Sequence, residues 1–75
     1  MSDLVSLEEA FPDFHPGDVI QGLRYRDELT QVELAEKTGI SRRHISEMEN
    51  GKRPIGKKNA KVLAKTLRTD YRVFL

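Results

Sequence analysis

The chain has 75 residues, a formal net charge of +1 and no cysteine. A chain of this length forms one small domain, close to the lower size limit at which a hydrophobic core alone is sufficient. The absence of cysteine excludes disulfides and thiolate metal sites as sources of stability. No apolar run is long enough to span a bilayer, and the N-terminus lacks the pattern of a signal peptide. We therefore expect a cytoplasmic protein.

The small net charge conceals an asymmetry along the chain. Residues 1–15 carry four acidic residues and no lysine or arginine, whereas residues 37–68 carry ten basic residues and two acidic ones. A basic block of this size is typical of proteins with a polyanionic partner. A solvated, lysine-rich surface would give the same composition, so the charge pattern alone leaves both interpretations open.

The first region in chain order is acidic, and we interpret residues 1–15 as a loosely ordered arm before a domain over residues 16–75. Pro16 and Asp18 predict the start of the first helix, because proline is favoured in the first turn and an acid there complements the helix dipole. This helix should end near Asp27. It should bury three apolar residues, Val19, Ile20 and Leu23.

A capping box predicts the start of the second helix. Thr30 is a good N-cap, and Glu33 stands three residues later, where its side chain can accept from the N-cap backbone. The helix should bury Leu34 and Ala35, and it ends near Gly39.

The third predicted helix follows after a very short turn at residues 38–40. Ser41 is its N-cap, and the helix runs to Asn50, before Gly51 in the usual C′ position. A turn of three to four residues that contains glycine and joins two helices is the helix-turn-helix geometry. Gly39 suits this turn because a positive φ costs other residues about 1–2 kcal/mol.

Two further helices complete the predicted fold, which is all-α, a compact bundle of five short helices. The fourth runs from about Lys57 to Leu67, and Thr69 or Asp70 caps a short fifth. The C-terminal apolar residues either close the core or form a dimer contact; they are Tyr71, Val73, Phe74 and Leu75.

The stretch TQVELAEKTGISRRHISEMENGKRPI, residues 30–55, resembles the helix-turn-helix of the Cro/C1-type (Xre) bacterial and phage repressors. The likeness extends over about residues 16–68. It implies a lambda-repressor-like fold, with the second and third helices as the helix-turn-helix, and a sequence-specific regulator of transcription that binds double-stranded DNA, most simply a repressor. The residues on which this resemblance rests are Gln31, Leu34, Ala35, Gly39, Ile40, Ser41, Ile45, Ser46, Glu49, Gly51 and Pro54.

A rotation of about 100° per residue separates two faces of the third helix. The sector that should face the core contains Ser41, Ile45, Met48 and Glu49. The opposite sector contains Arg43, Ser46, Glu47 and Asn50, with Arg42 on its flank.

The resemblance implies that the third helix lies in the major groove, where its outward residues meet base edges. Arginine offers paired donors to guanine, and serine donates or accepts. Glu47 either accepts from a cytosine amino group or holds one of the arginines. The predicted base-reading residues are Arg42, Arg43, Ser46 and Glu47.

Phosphate contacts should flank the reading helix and fix its register. The resemblance aligns Gln31 with a glutamine that contacts a backbone phosphate. Lys57 and Lys58 open the fourth helix, where cations oppose the helix dipole, so we interpret them as phosphate contacts. For Lys61, Lys65 and Arg68 a solvated face is favoured. The predicted phosphate contacts are Gln31, Asn50, Lys52, Arg53, Lys57 and Lys58.

A separate set of residues should hold the helices together. Glu49 lies on the inward sector, where an unpaired carboxylate would be costly, and the resemblance implies an ion pair with Arg24 on the first helix. The complete predicted structural set is Arg24, Ala35, Gly39, Ser41, Ile45 and Glu49.

Other function classes receive less support from the sequence. We expect no enzyme, no cofactor and no metal site, because there are two histidines, no cysteine and no glycine-rich phosphate loop. The segments HPGDVI and DYRVFL are similar to HigA-type antitoxins, which bind DNA and neutralise a toxin protein. In that alternative the acidic arm, with Phe11 and Phe14, would meet the basic toxin. A homodimer on an inverted-repeat operator is expected, because one recognition helix reads too few base pairs.

Overall fold

The computed structural model describes residues 15–75. The elements in chain order are α1 (Pro16–Arg26), α2 (Gln31–Thr38), α3 (Arg42–Glu49), α4 (Lys57–Leu67) and a 3₁₀ helix (Tyr71–Phe74). Residues 15–75 contain no strand, so the predicted all-α class is confirmed. The predicted arm lies outside the described residues, except for His15. No helix in the described part of the chain has the length and apolar character needed to cross a membrane.

Every helix contributes a side chain to one shared core. Ile20, Leu34, Ile45 and Leu63 are fully buried, and Phe74 of the 3₁₀ helix is 1% exposed. Full burial of one such side chain contributes about 1.5–3 kcal/mol. The core therefore lies where the four α-helices meet, and the C-terminal 3₁₀ helix covers one end of it.

Two of the C-terminal apolar residues pack in the core, and the other two are exposed. Phe74 is buried and Tyr71 packs against the core, so these two rings close it. Val73 and Leu75 are 41% and 58% exposed. The element that carries them is a single 3₁₀ turn, capped by Asp70 and not by Thr69.

The predicted caps of α2 and α3 are present. The Thr30 hydroxyl accepts from the backbone of Glu33, and the Glu33 carboxylate accepts from the backbone of Thr30, which completes the capping box. The Ser41 hydroxyl accepts from the backbone of His44. The assignment of Ser41 to the buried sector is wrong, because an N-cap lies before the first helical turn and this one is exposed.

The start of α1 has a cap that the sequence interpretation missed. The Nδ1 atom of His15 accepts from the backbone of Gly17 at 3.1 Å, and Asp18 accepts from the backbone of His15 at 3.1 Å. The spacing of these residues is that of a capping box, with histidine in place of the usual serine or threonine. His15 is therefore part of the folded domain.

The turn between α2 and α3 has the predicted backbone. Gly39 has a φ of 77°, in the left-handed region, and donates to the carbonyl of Ala35. The following residue, Ile40, is buried, so the chain returns to the core directly after the turn. The turn thus fixes α3 against α2 with only three residues.

Gly17 brings α1 into direct contact with the end of α3. A Cβ atom at position 17 would collide with the main-chain carbonyl of Met48 and with the ring of His15. Backbone cannot move aside as a flexible side chain can, so only glycine allows this approach. The packing holds the C-terminal end of α3 in place.

We expect Gly17→Ala to lower the free energy of unfolding by about 1–3 kcal/mol, because the added methyl overpacks the contact between α1 and α3. Gly22→Ala, on the same helix, is the matched control. Position 22 has no atom within 4 Å of the added Cβ, and alanine there should stabilise by about 0.5–1 kcal/mol. Urea denaturation measures both changes. Equal stability of the two variants would contradict the close approach.

Candidate nucleic-acid interface

The third helix has one buried face and one exposed face. Ile45 is fully buried and Met48 is 1% exposed. Arg42 and Arg43 are exposed at the N-terminal end, and the Arg43 side chain is 87% exposed. The core therefore anchors α3 along one side and leaves its two arginines directed into solvent.

A buried ion pair connects α1 to the end of α3. Arg24 Nε donates to Glu49 Oε2 at 2.9 Å, and its terminal Nη2 donates to Glu49 Oε1 at 3.0 Å. The two side chains are 8% and 4% exposed. Arg24 also donates to the carbonyl of Leu29 at 3.0 Å. The predicted Arg24–Glu49 pair is thus present in bidentate form, and hydrogen bonding to Glu49 raises the pKa of Arg24.

Gln31 joins this ion pair to the exposed end of α3. Its Nε2 donates to Glu49 Oε1 at 3.1 Å, while its Oε1 accepts from Arg42 at 3.2 Å. The amide therefore has a partner on each side. A line of hydrogen bonds runs from Arg24 through Glu49 and Gln31 to Arg42, and it restricts where the Arg42 guanidinium can lie.

Glu47 lies between two arginines. Its Oε1 accepts from Arg53 Nε at 2.9 Å, and its Oε2 is 3.5 Å from Arg43 Nε. The hydrogen bond from Arg53, with a smaller contribution from Arg43, lowers the pKa of Glu47. Of the two roles that the sequence left open, this geometry favours the holding of arginines. Glu47 thereby connects a predicted base-reading residue to a predicted phosphate contact.

The remaining outward residues of α3 interact locally. The Asn50 amide donates to the carbonyl of Ser46 at 2.8 Å and lies 3.4 Å from the Ser46 hydroxyl. Asn50 and Lys52 are exposed, whereas Ser46 is half-buried. These side chains continue the outward surface of α3 from the two arginines toward the C-terminal end of the helix.

The start of α4 lacks the side-chain cap that each of the other α-helices has. Its N-cap is Gly56, which provides no side-chain hydrogen bond, and no acidic residue lies in the first turn. Lys57 and Lys58 occupy that turn and are exposed. Within residues 15–75, neither lysine forms an ion pair. Two cations thus stand at a helix end that already carries positive charge.

The structure brings most of the predicted site residues into contact, whereas three lysine side chains form no hydrogen bond or ion pair within residues 15–75. Two hydrogen-bonded groups form on α3 and its flanks, one centred on Gln31 and the other on Glu47. Ser46 and Asn50 form a separate pair, and the three lysines without a side-chain partner are Lys52, Lys57 and Lys58. Sequence interpretation missed the contact between Gln31 and Arg42, because no local pattern relates residues on different helices. Within residues 15–75, no three His, Asp or Glu side chains cluster as metal ligands would.

The comparison with known families agrees with this geometry. A family model described as helix-turn-helix matches residues 23–74, more than half of the chain. The matched region contains α2, α3, α4 and the 3₁₀ helix. No curated protein and no solved structure matches the chain.

Proposed function

This chain belongs to the Cro/C1-type helix-turn-helix family and is a DNA-binding regulator, and from that premise we propose that it represses transcription by inserting α3 into the major groove of an operator. The observation that supports this proposal best is the exposed pair Arg42 and Arg43 on a helix whose opposite face is anchored in the core. Bidentate arginine contacts to guanine are the commonest specific contacts in the major groove.

Base reading is assigned to the N-terminal half of the exposed α3 face. Arg42 and Arg43 would contact base edges, with Ser46 beside them. Glu47 would orient Arg43, because its carboxylate already contacts that arginine and Arg53. Gln31 would orient Arg42 by its hydrogen bond. The arginines would thus meet the bases with little loss of side-chain freedom, which favours affinity.

Backbone contacts are assigned to residues around the reading helix. Gln31 lies at the first position of α2, where backbone N–H groups point outward and suit a phosphate. Asn50, Lys52 and Arg53 follow α3, and Lys57 and Lys58 open α4. Contacts of this kind position the protein without reading sequence.

A homodimer is the proposed binding unit, since one reading helix covers too few base pairs. Two copies would present two α3 helices about 34 Å apart, one turn of the double helix. Val73 and Leu75 are the exposed apolar residues at the C-terminal end, and we assign the contact between copies to them. Leu75 also borders a groove shared with Met48, Pro54 and Ile55.

Selection of bound sequences from a random pool of double-stranded DNA tests this function. An inverted repeat should be recovered, with half-sites about one helical turn apart. Placed over a promoter, that repeat should lower reporter expression when the protein is present. A pool that shows no enrichment would refute specific DNA binding, and enrichment of a single half-site would refute the dimer.

The single variants Lys57→Ala and Lys58→Ala should each weaken binding to all DNA sequences alike. Each lysine that neutralises a phosphate releases counterions, so its loss should reduce the slope of log affinity against log salt by about one unit. Affinities measured over a range of salt concentrations test this. An unchanged salt slope would show that the substituted lysine does not contact a phosphate.

A further inference from the structure

Tyr25 is a large aromatic residue that the core does not use. It lies near the end of α1 and is 62% exposed. Its hydroxyl accepts from Gln21 Nε2 at 3.2 Å, and its ring centroid lies 4.7 Å from the Cζ atom of Arg24. The ring is therefore held from two sides although it remains in solvent.

The contacts of Tyr25 connect it to residues of the proposed DNA-binding surface. Arg24, beneath the ring, is the arginine that binds Glu49. Glu49 accepts from Gln31, which in turn accepts from Arg42. Tyr25 thus occupies the α1 end of the line of contacts that leads to the reading helix.

Within residues 15–75, the phenol of Tyr25 accepts a hydrogen bond and donates none, so its proton can bond to a ligand. A tyrosine hydroxyl has one donor and can also accept. Here it accepts from Gln21, so the O–H can donate to an anionic oxygen, and such bonds to an ionised acceptor are the stronger kind. The contact with the Arg24 guanidinium fixes the ring, which lowers the entropy cost of using it.

We propose that Tyr25 donates a hydrogen bond to a backbone phosphate of bound DNA and so extends the positioning contacts onto α1. Tyrosine hydroxyls are among the groups that contact DNA phosphates. The inference depends on the proposed function, since it needs bound DNA. It assigns a role to a residue that lies outside both the reading helix and the basic block.

The test is Tyr25→Phe, which removes the hydroxyl and keeps the ring over Arg24. We expect affinity for every DNA sequence to fall by about 10- to 150-fold, the effect of one hydrogen bond to a charged group. The salt slope should not change, because a neutral donor displaces no counterion. The melting temperature should also remain that of the wild type.

Tyr71→Phe provides the matched control. Tyr71 is the second tyrosine of the chain and also lies under a cation, with Lys61 Nζ 5.4 Å from its ring centroid. It packs against the core at the 3₁₀ helix, so DNA affinity should not change.

Three results would overturn the inference. Wild-type affinity in Tyr25→Phe would show that the hydroxyl has no contact with DNA. A fall in melting temperature in the same variant would show that the Tyr25 hydroxyl stabilises the fold around the ion pair. Absence of DNA binding by the wild-type protein would refute the proposed function as well, which separates that failure from the first two.

Discussion

Replacing Arg24 with methionine should lower the free energy of unfolding by about 3–5 kcal/mol. The variant would leave the Glu49 carboxylate buried, at 4% exposure, without its bidentate partner. Stabilities of small domains are about 5–15 kcal/mol, so a large part of the total is lost. In a domain of this size, the melting temperature should fall by about 15 °C or more.

Two further variants show whether the loss comes from the ion pair. Lys65→Met removes an exposed cation from α4 and should change stability by less than about 0.5 kcal/mol. Arg24→Met combined with Glu49→Leu removes both charges and should recover much of the loss, because apolar replacements of a buried pair are often neutral or stabilising. Thermal melting of the four proteins measures these differences. An Arg24→Met variant that melts like the wild type would show that the pair is not architectural.

Replacing Arg43 with alanine should reduce affinity for the selected operator by about 1–3 kcal/mol, roughly 5- to 150-fold. The side chain is 87% exposed and its ion-pair contact with Glu47 is 3.5 Å long, so the folded state should lose little stability. Discrimination should weaken at one base pair, while binding to unrelated DNA changes less. Arg42→Ala should have the same kind of effect at a different base pair.

A panel of operators with single base changes measures this effect. If Arg43 reads one base pair, the variant should bind the operators altered at that position about as tightly as the original. Lys65→Ala serves as the control and should leave both affinity and base preference unchanged. A loss that is equal across all operators would make Arg43 a phosphate contact and would contradict the division between reading and positioning residues.

These predictions connect through Gln31. Because its amide bonds to Glu49 and to Arg42, the buried ion pair supports the residue that orients a reading arginine. Substitution of Arg24 should therefore leave the Arg42 side chain less well ordered, in addition to lowering the stability of the fold. The stability of the fold and the placement of a base-reading arginine thus both depend on the Arg24–Glu49 ion pair.

The local signals in the sequence predicted the helices well. Thr30 with Glu33, Ser41 and Gly39 act within three or four residues of their own positions, and all three signals are present in the structure. The Arg24–Glu49 pair came from a resemblance, since 25 residues separate the partners and no local rule connects them. The fifth helix was less well predicted, because a single 3₁₀ turn has too few residues to show a period.

The site was predicted in outline, and its internal organisation was not. The periodicity of α3 assigned Arg42 and Arg43 outward and Ile45 inward, as observed. It could not show that Glu47 holds Arg53 or that Gln31 holds Arg42. Each of those pairs joins the reading helix to a segment outside it, so its geometry depends on how the segments pack.

The sequence by itself determined the all-α class, the caps of α2 and α3, the sharp turn at Gly39 and the exposed arginines of α3. These features follow from backbone preferences and helical spacing, which act over a few residues. Only the tertiary structure decided that Gly17 must leave room for the carbonyl of Met48 and that Gln31 connects the ion pair to Arg42. The physical reason is that these contacts join elements distant in the chain, and packing of the shared core brings them together.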